Sequence, residues 1–242
     1  MSNLNIALGT IKLPSKGFVY PIDNPLSSGE VEIKYMTAKE EDILTNTNYI
    51  DKGIVLDKLL ESLTMKKINV SDLIPGDKNK LLIAARMLGY GNLYKFTYRG
   101  EEKEFDLSNL EDKDFDESVL VEKNKNEFKF ITPKTENEIT FKLLTGRDDE
   151  MVKREIEGLK KIDKNSSAEV STRLKYMITS VNGLTDSKSI REFVDNNLIA
   201  IESKALRDYV KEIQPNVNMM IHLDDMDNEI ELPITLSFFW PD

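Results

Sequence analysis

The chain has one histidine, His222, in the run MMIHLDD, with Asp224 and Asp225 close behind. A histidine and two carboxylates can ligate iron or zinc, and a histidine alone can act as a general base. The run alternates like a strand entering a turn. It has no partner motif and no nucleophile placed to use it. A surface histidine on a hairpin tip is therefore expected, and no catalytic or metal residue is assigned.

Three adjacent carboxylate pairs, Glu40 with Glu41, Asp148 with Asp149 and Asp224 with Asp225, look like paired acids. Neighbours on a helix do not face each other. The first two pairs fall where helices should open, and negative charge there complements the helix dipole. PGDKNK at 75–80 combines a turn, an acid and lysines but lacks the glycine spacing of a phosphate loop. It reads as a helix start with Asp77 as the cap. GYGN at 89–92 and SVNG at 180–183, with Arg173 and Arg191 nearby, read as helix ends.

At 242 residues the chain can form one large domain or two small ones. A net charge of −10, 31% charged and 40% hydrophobic residues describe a globular protein. The acidic balance opposes binding to phosphate backbones, and no basic patch offsets it, so no nucleic-acid partner is expected. The absence of cysteine excludes disulfides, thiolate ligands and cysteine nucleophiles. No stretch approaches the ~20 apolar residues of a membrane helix. The N-terminus lacks a signal-peptide pattern. A cytoplasmic protein with no cofactor and no membrane insertion is expected.

The elements that position these residues follow from periodicity. Val31, Ile33 and Tyr35 alternate as a strand, and Thr37 with Glu40 makes a capping box for a helix. Leu56, Leu59, Leu60 and Leu63 mark a second helix, and Leu81, Leu82, Ala85 and Leu88 a third. Tyr94 to Leu107 reads as a hairpin. The order then repeats. Ile139, Phe141 and Leu143 form a strand, and Thr145 with Asp148 caps a helix. Leu174, Met177, Ile178 and Val181 share a helical face. Ile190, Phe193 and Val194 mark a short helix. Leu206, Val210 and Ile213 give a longer one, and Met219 to Ile234 a hairpin.

Laid together, Thr37 falls on Thr145, Leu81, Ala85 and Leu88 on Leu206, Val210 and Ile213, and the hairpins on each other. The expected fold is α+β, with two similar lobes from an internal duplication, each a small antiparallel sheet or hairpin with several covering helices. The expected divisions are an N-terminal arm (1–30), a first lobe (31–107), an acidic linker (108–126) and a second lobe (127–242).

Two stretches fit neither core nor solvent. LPSKGFVYP is apolar but broken by proline and glycine. SFFWPD puts three aromatics in a row, and in a strand these cannot all face one core. Either both lobes sandwich that strand or it meets another chain. Leu13, Pro14, Lys16, Phe18, Tyr20, Phe238, Phe239 and Trp240 are therefore the candidate partner-binding residues.

Taken in order, LPSKG…YP, YMTAKEEDIL, GDKNKLLIAARMLGYG, ITFKLLTGRDDE, TRLKYMITSVNG, IREFVDNNLIAIESKALRDYV and SFFWPD resemble a family from T-even-like contractile-tailed phages. Its members are described as baseplate hub subunits or hub assembly proteins. The resemblance runs from about Leu13 to Pro241. It implies a non-enzymatic role in forming the central hub beneath the tail tube, as a subunit or a transient chaperone. The implied partners are other baseplate, hub or tail proteins, with self-association open, in the host cytoplasm and then in the virion. Some relatives carry cysteine pairs on the hairpins, suggesting zinc. Here the tips read TYRGEEKEF and HLDDMDNEI, so no metal-stabilised hairpin is expected.

Overall fold

A computed structural model describes residues 8–162, 168–222, 229–232 and 234–239. The fold is α+β, with small antiparallel sheets and eight α-helices among the described residues.

The first half opens with β1 (Leu8–Lys12) paired antiparallel to β2 (Glu30–Lys34). Residues 13–29 make a long excursion between these strands, closed by the Leu13 amide donating to the Gly29 carbonyl at 2.8 Å. The arm is thus the connection of a strand pair. Helices α1 (Ala38–Leu44), α2 (Thr47–Asp51), α3 (Val55–Leu63) and α4 (Pro75–Tyr90) follow. The short α2 has no apolar stripe to announce it; the Asn46 side chain caps it by accepting from the Tyr49 amide at 3.2 Å. β3 (Leu93–Tyr98) and β4 (Glu101–Asp106) form the expected hairpin. Its two turn residues, Arg99 and Gly100, have φ of 52° and 85°, the left-handed pair that matches strand twist.

The second half repeats this order with one insertion. β5 (Phe128–Ile131) pairs with β6 (Glu138–Phe141), and α5 (Gly146–Ile162) and α6 (Glu169–Met177) follow. Then come β7 (Ile178–Val181), α7 (Ser187–Glu192), a π-helical turn (Phe193–Asn197) and α8 (Ala200–Ile213). β8 (Met220–Ile221) and β9 (Ile230–Glu231) are the last strands among the described residues; the tip between them lies partly outside those residues.

The helical face expected over Leu174–Val181 is wrong beyond Met177. Ile178–Val181 is the third strand of the β5–β6 sheet, with Ile139 opposite Val181 and Phe141 opposite Ile178. Short apolar runs suit either structure, and here the unpaired edge of β6 decides, with β-branched Ile178, Thr179 and Val181 fitting the pleat.

Residues 108–126 are not a free tether. Phe115 is buried, the Lys113 amide donates to Asn216 at 2.8 Å, and the Asn124 amide donates to Phe18, also at 2.8 Å. One hydrophobic cluster gathers Leu13, Ile33, Leu60 and Leu82 with Phe128, Phe141, Leu206 and Phe239. The two halves therefore share a core.

Candidate interaction surface

Buried carboxylates organise each half, and they do so in pairs. Lys34 precedes Thr37 by the same spacing as Lys142 precedes Thr145. Glu40 accepts from the Thr37 amide at 3.0 Å, from its hydroxyl at 2.7 Å and from Lys34 Nζ at 2.7 Å. Asp148 does the same with the Thr145 amide at 3.0 Å, its hydroxyl at 2.9 Å and Lys142 Nζ at 2.6 Å. Both are capping boxes drawn inward and neutralised by a lysine, Lys34 at the end of β2 and Lys142 just past β6.

A second carboxylate recurs at the third position of the last helix of each half. Asp77 of α4 accepts from the Ser15 amide at 3.0 Å and the Ser15 and Tyr20 hydroxyls at 2.6 Å each. Glu202 of α8 accepts from the Lys134 and Thr135 amides at 3.1 and 2.8 Å and the Thr135 hydroxyl at 3.0 Å. In both halves the donors sit just after the first strand, behind Pro14 and Pro133. Asp77 is thus not the cap of α4. Ile74 occupies that position and Pro75 opens the helix, leaving Asp77 to face inward. Burial raises the Asp77 carboxyl despite its hydrogen bonds, and burial followed by Asp77 itself raises the Tyr20 phenol. For Glu202 burial acts upward, but the amide and hydroxyl donors prevail and the carboxyl is lowered.

Glu40 offers a direct pH test. Burial opposes its ionisation, yet the hydrogen bonds from Lys34, Ser62 and Thr37 prevail and lower it from 4.5 to about 2. A depressed folded value contributes stability above the unfolded value. That contribution is lost as pH falls through about 2. The shift corresponds to roughly 3 kcal/mol at neutral pH. Glu40→Gln is expected to lose about that much in urea unfolding at neutral pH, with the gap to wild type closing in acid. A gap independent of pH would reject this linkage.

The candidate partner-binding residues are mostly consumed inside the chain. Leu13 and Tyr20 are buried, and so is Pro14. Phe18 is half-buried, with the Lys123 ammonium 3.9 Å from its ring centroid, and Lys16 is exposed at φ 52°. Ile22, just past the stretch singled out, is 82% exposed. Phe238 and Phe239 are wholly buried; they lie in a 3-10 turn (Leu236–Phe239), not a strand, so both rings reach one core. They meet edge to face at 5.5 Å, and Phe238 packs on Tyr94 at 4.9 Å. Buried Arg86 of α4 secures this turn. Its Nε donates to the Phe238 carbonyl at 3.0 Å, while the guanidinium lies 5.2 Å from the Tyr90 ring centroid and 5.9 Å from that of Tyr94. Trp240 lies outside the described residues.

What stays open is a groove of about 520 Å³ between β1, α4 and the segment after β4. Ile11, Ile83, Ala84, Met87, Leu88 and Leu110 give it an apolar floor. Lys12 and the Lys80–Asp112 ion pair, 2.7 Å long, stand on its rim. Sequence reasoning missed it because Ile83 and Ala84 are themselves buried and, with Met87, read as more core.

His222 is exposed at the end of β8; Asp224 and Asp225 lie outside the described residues. Among the described residues no three histidine or acidic side chains cluster as a metal site, and no helix is long and apolar enough to cross a membrane. Comparison with protein-family models, curated proteins and solved structures gave no match.

Proposed function

We propose that the chain is a non-enzymatic component in the formation of the baseplate hub of a contractile-tailed phage, acting through protein–protein contacts as a subunit or an assembly factor. The ordered motifs, with their resemblance to that family, supply the identity of the particle. The observation that carries the contact reading is where the buried acids are used. Glu40, Asp77, Asp148 and Glu202 are each saturated by fixed donors that tie elements together. Groups committed in this way hold shape rather than exchange protons with a substrate. The recurrence of both carboxylate clamps in the two halves supports descent from one duplicated unit. Partners would be other baseplate, hub or tail proteins, met in the host cytoplasm, with no part for nucleic acid.

Protein analysis of purified virions tests the role. Stoichiometric copies mark a subunit. Presence in infected cells but absence from finished particles marks a transient chaperone. Normal tails from a phage lacking the gene would reject both. His222→Ala is expected to leave phage yield unchanged, and a large loss of yield with the protein still folded would favour metal or base chemistry at the β8–β9 hairpin.

A further inference from the structure

In each half the acid at the third position of the last helix holds the residues that follow the first strand, but the halves differ in what lies between strand and helix. Aligned in sequence on the clamp acids, Asp77 with Glu202, Ala84 falls on Tyr209 and Leu81 on Leu206. Aligned on the strand ends, Lys12 with Ile131, Ile11 falls on Phe130 and Gly9 on Phe128, and Gly9 pairs with Ile33 as Phe128 pairs with Phe141. Both strands close alike: the Leu13 amide reaches Gly29 at 2.8 Å and the Thr132 amide reaches Asn137 at 3.0 Å.

In the second half the space between strand and helix is full. The Phe130 and Tyr209 rings lie 5.5 Å apart, and buried Phe128 stacks on Phe141 at 5.5 Å. The edge of β5 away from β6 is also covered. Leu120 bridges Phe128, and the Val121 amide donates to Glu127 at 3.0 Å. In the first half the three corresponding rings are absent, their positions held by Gly9, Ile11 and Ala84. No strand among the described residues pairs with β1 on the edge away from β2. Beside Gly9 the Leu88 side chain takes up the space, 3.1 Å from where a Cβ would stand, and the groove of about 520 Å³ opens at Ile11 and Ala84.

We infer that this groove is a docking site for an extended segment of a partner protein, which adds to the free edge of β1 and inserts an aromatic side chain between β1 and α4. Main-chain bonds along a strand edge supply affinity, and a pocket for alternate side chains supplies selectivity. The second half shows the filled state: an edge segment at Leu120–Val121 and rings at Phe130 and Tyr209. Charge narrows the partner further. Lys12 is exposed on the rim and has no ion pair among the described residues, on a chain of net charge −10. A carboxylate beside the aromatic residue would answer it. The inference rests on the protein-contact reading only in requiring a protein partner.

The probe is the blocked peptide Glu-Phe-Thr-Tyr-Thr-Glu, with alanine replacing both rings as the control, titrated against the labelled full chain by amide NMR. Saturable shifts on β1 and α4 are expected, at least tenfold weaker for the ring-free peptide. Ile11→Phe with Ala84→Tyr rebuilds the ring pair of the second half. It should keep or raise the melting temperature and lower affinity at least tenfold. Should that pair disturb folding, Lys12→Glu serves instead, weakening the acidic peptide severalfold while ring dependence persists.

No saturable binding, or equal binding with and without rings, overturns the inference. Three other occupants would also overturn it. Binding that emerges only when residues 1–7 are removed gives the groove to the chain's own start, although that segment carries no ring. Binding that emerges only in Trp240→Ala gives it to the chain's own tryptophan. Dimerisation abolished by the groove-filling pair gives it to a second copy. None of these results bears on virion composition, so failure here is separable from failure of the hub role.

Discussion

Gly76→Ala is expected to destabilise the chain by more than about 4 kcal/mol, among the largest effects a single methyl group can have. Alanine is the better helix former, and by propensity alone the change would stabilise α4 by roughly 1 kcal/mol. Packing reverses the sign. A Cβ on Gly76 would lie 1.8 Å from the Pro215 carbonyl oxygen and 2.7 Å from Asn216 Cα. Both are backbone atoms, so no side chain can swing aside. Asn216 is held in turn, accepting from the Lys113 amide at 2.8 Å and the Asn79 side chain at 3.3 Å. The start of α4 and the end of α8 would have to part, opening the contact between the halves. For a chain of this size, melting by circular dichroism should fall by roughly 10 °C or more. Gly158→Ala in α5, where a Cβ meets nothing within 4 Å, is the control and should gain about 0.5–1 kcal/mol. Equal melting of Gly76→Ala and wild type would disprove the close approach.

Asp77→Ala is the second large effect, at roughly 3–5 kcal/mol. Removing the carboxylate leaves the Ser15 amide and the Ser15 and Tyr20 hydroxyls buried without their acceptor. It also frees the arm, since Tyr20 accepts from the Ile74 amide at 3.2 Å and so ties residues 15–20 to the start of α4. Asp77→Asn keeps the shape and one acceptor, and should cost less. The two can be separated by pH. Burial raises the Asp77 carboxyl, so its stabilising contribution is complete below the ordinary carboxylate value and declines as pH rises through the raised one. The advantage of wild type over Asp77→Asn should therefore be widest below the ordinary carboxylate range and narrow as pH rises. Combining Tyr20→Phe with Asp77→Ala should cost less than the sum of the two, because both break one network. Strict additivity would mean the two side chains act separately.

The elements legible in sequence were those with a long period or a capping signature. α3, α4 and α8 carry continuous apolar stripes, and both capping boxes form on the residues that predict them, Thr37 with Glu40 and Thr145 with Asp148. What stayed hidden was decided by distant partners. Ile178–Val181 is a strand because β6 has an edge to fill. The role of LPSKGFVYP depends on Asp77, far along the chain, accepting from Ser15 and Tyr20. The C-terminal aromatics call for either the other lobe or another chain only under the assumption of an extended backbone, which the 3-10 turn removes. The groove was least legible of all, because it consists of side chains too small to fill a space. Only the second half, where Phe130 and Tyr209 occupy the matching positions, reveals how much is missing.

The seating of Phe238 and Phe239 against α4 and β3 bears on how the polypeptide is made. Arg86 and Tyr94 await groups that are synthesised more than half a chain later. Until Phe238 and Phe239 have been made, the apolar cleft they fill against α4 and β3 stays uncovered. A chain cut short before Phe238 would leave Arg86 and Tyr94 without these partners, however much of the fold preceded the break.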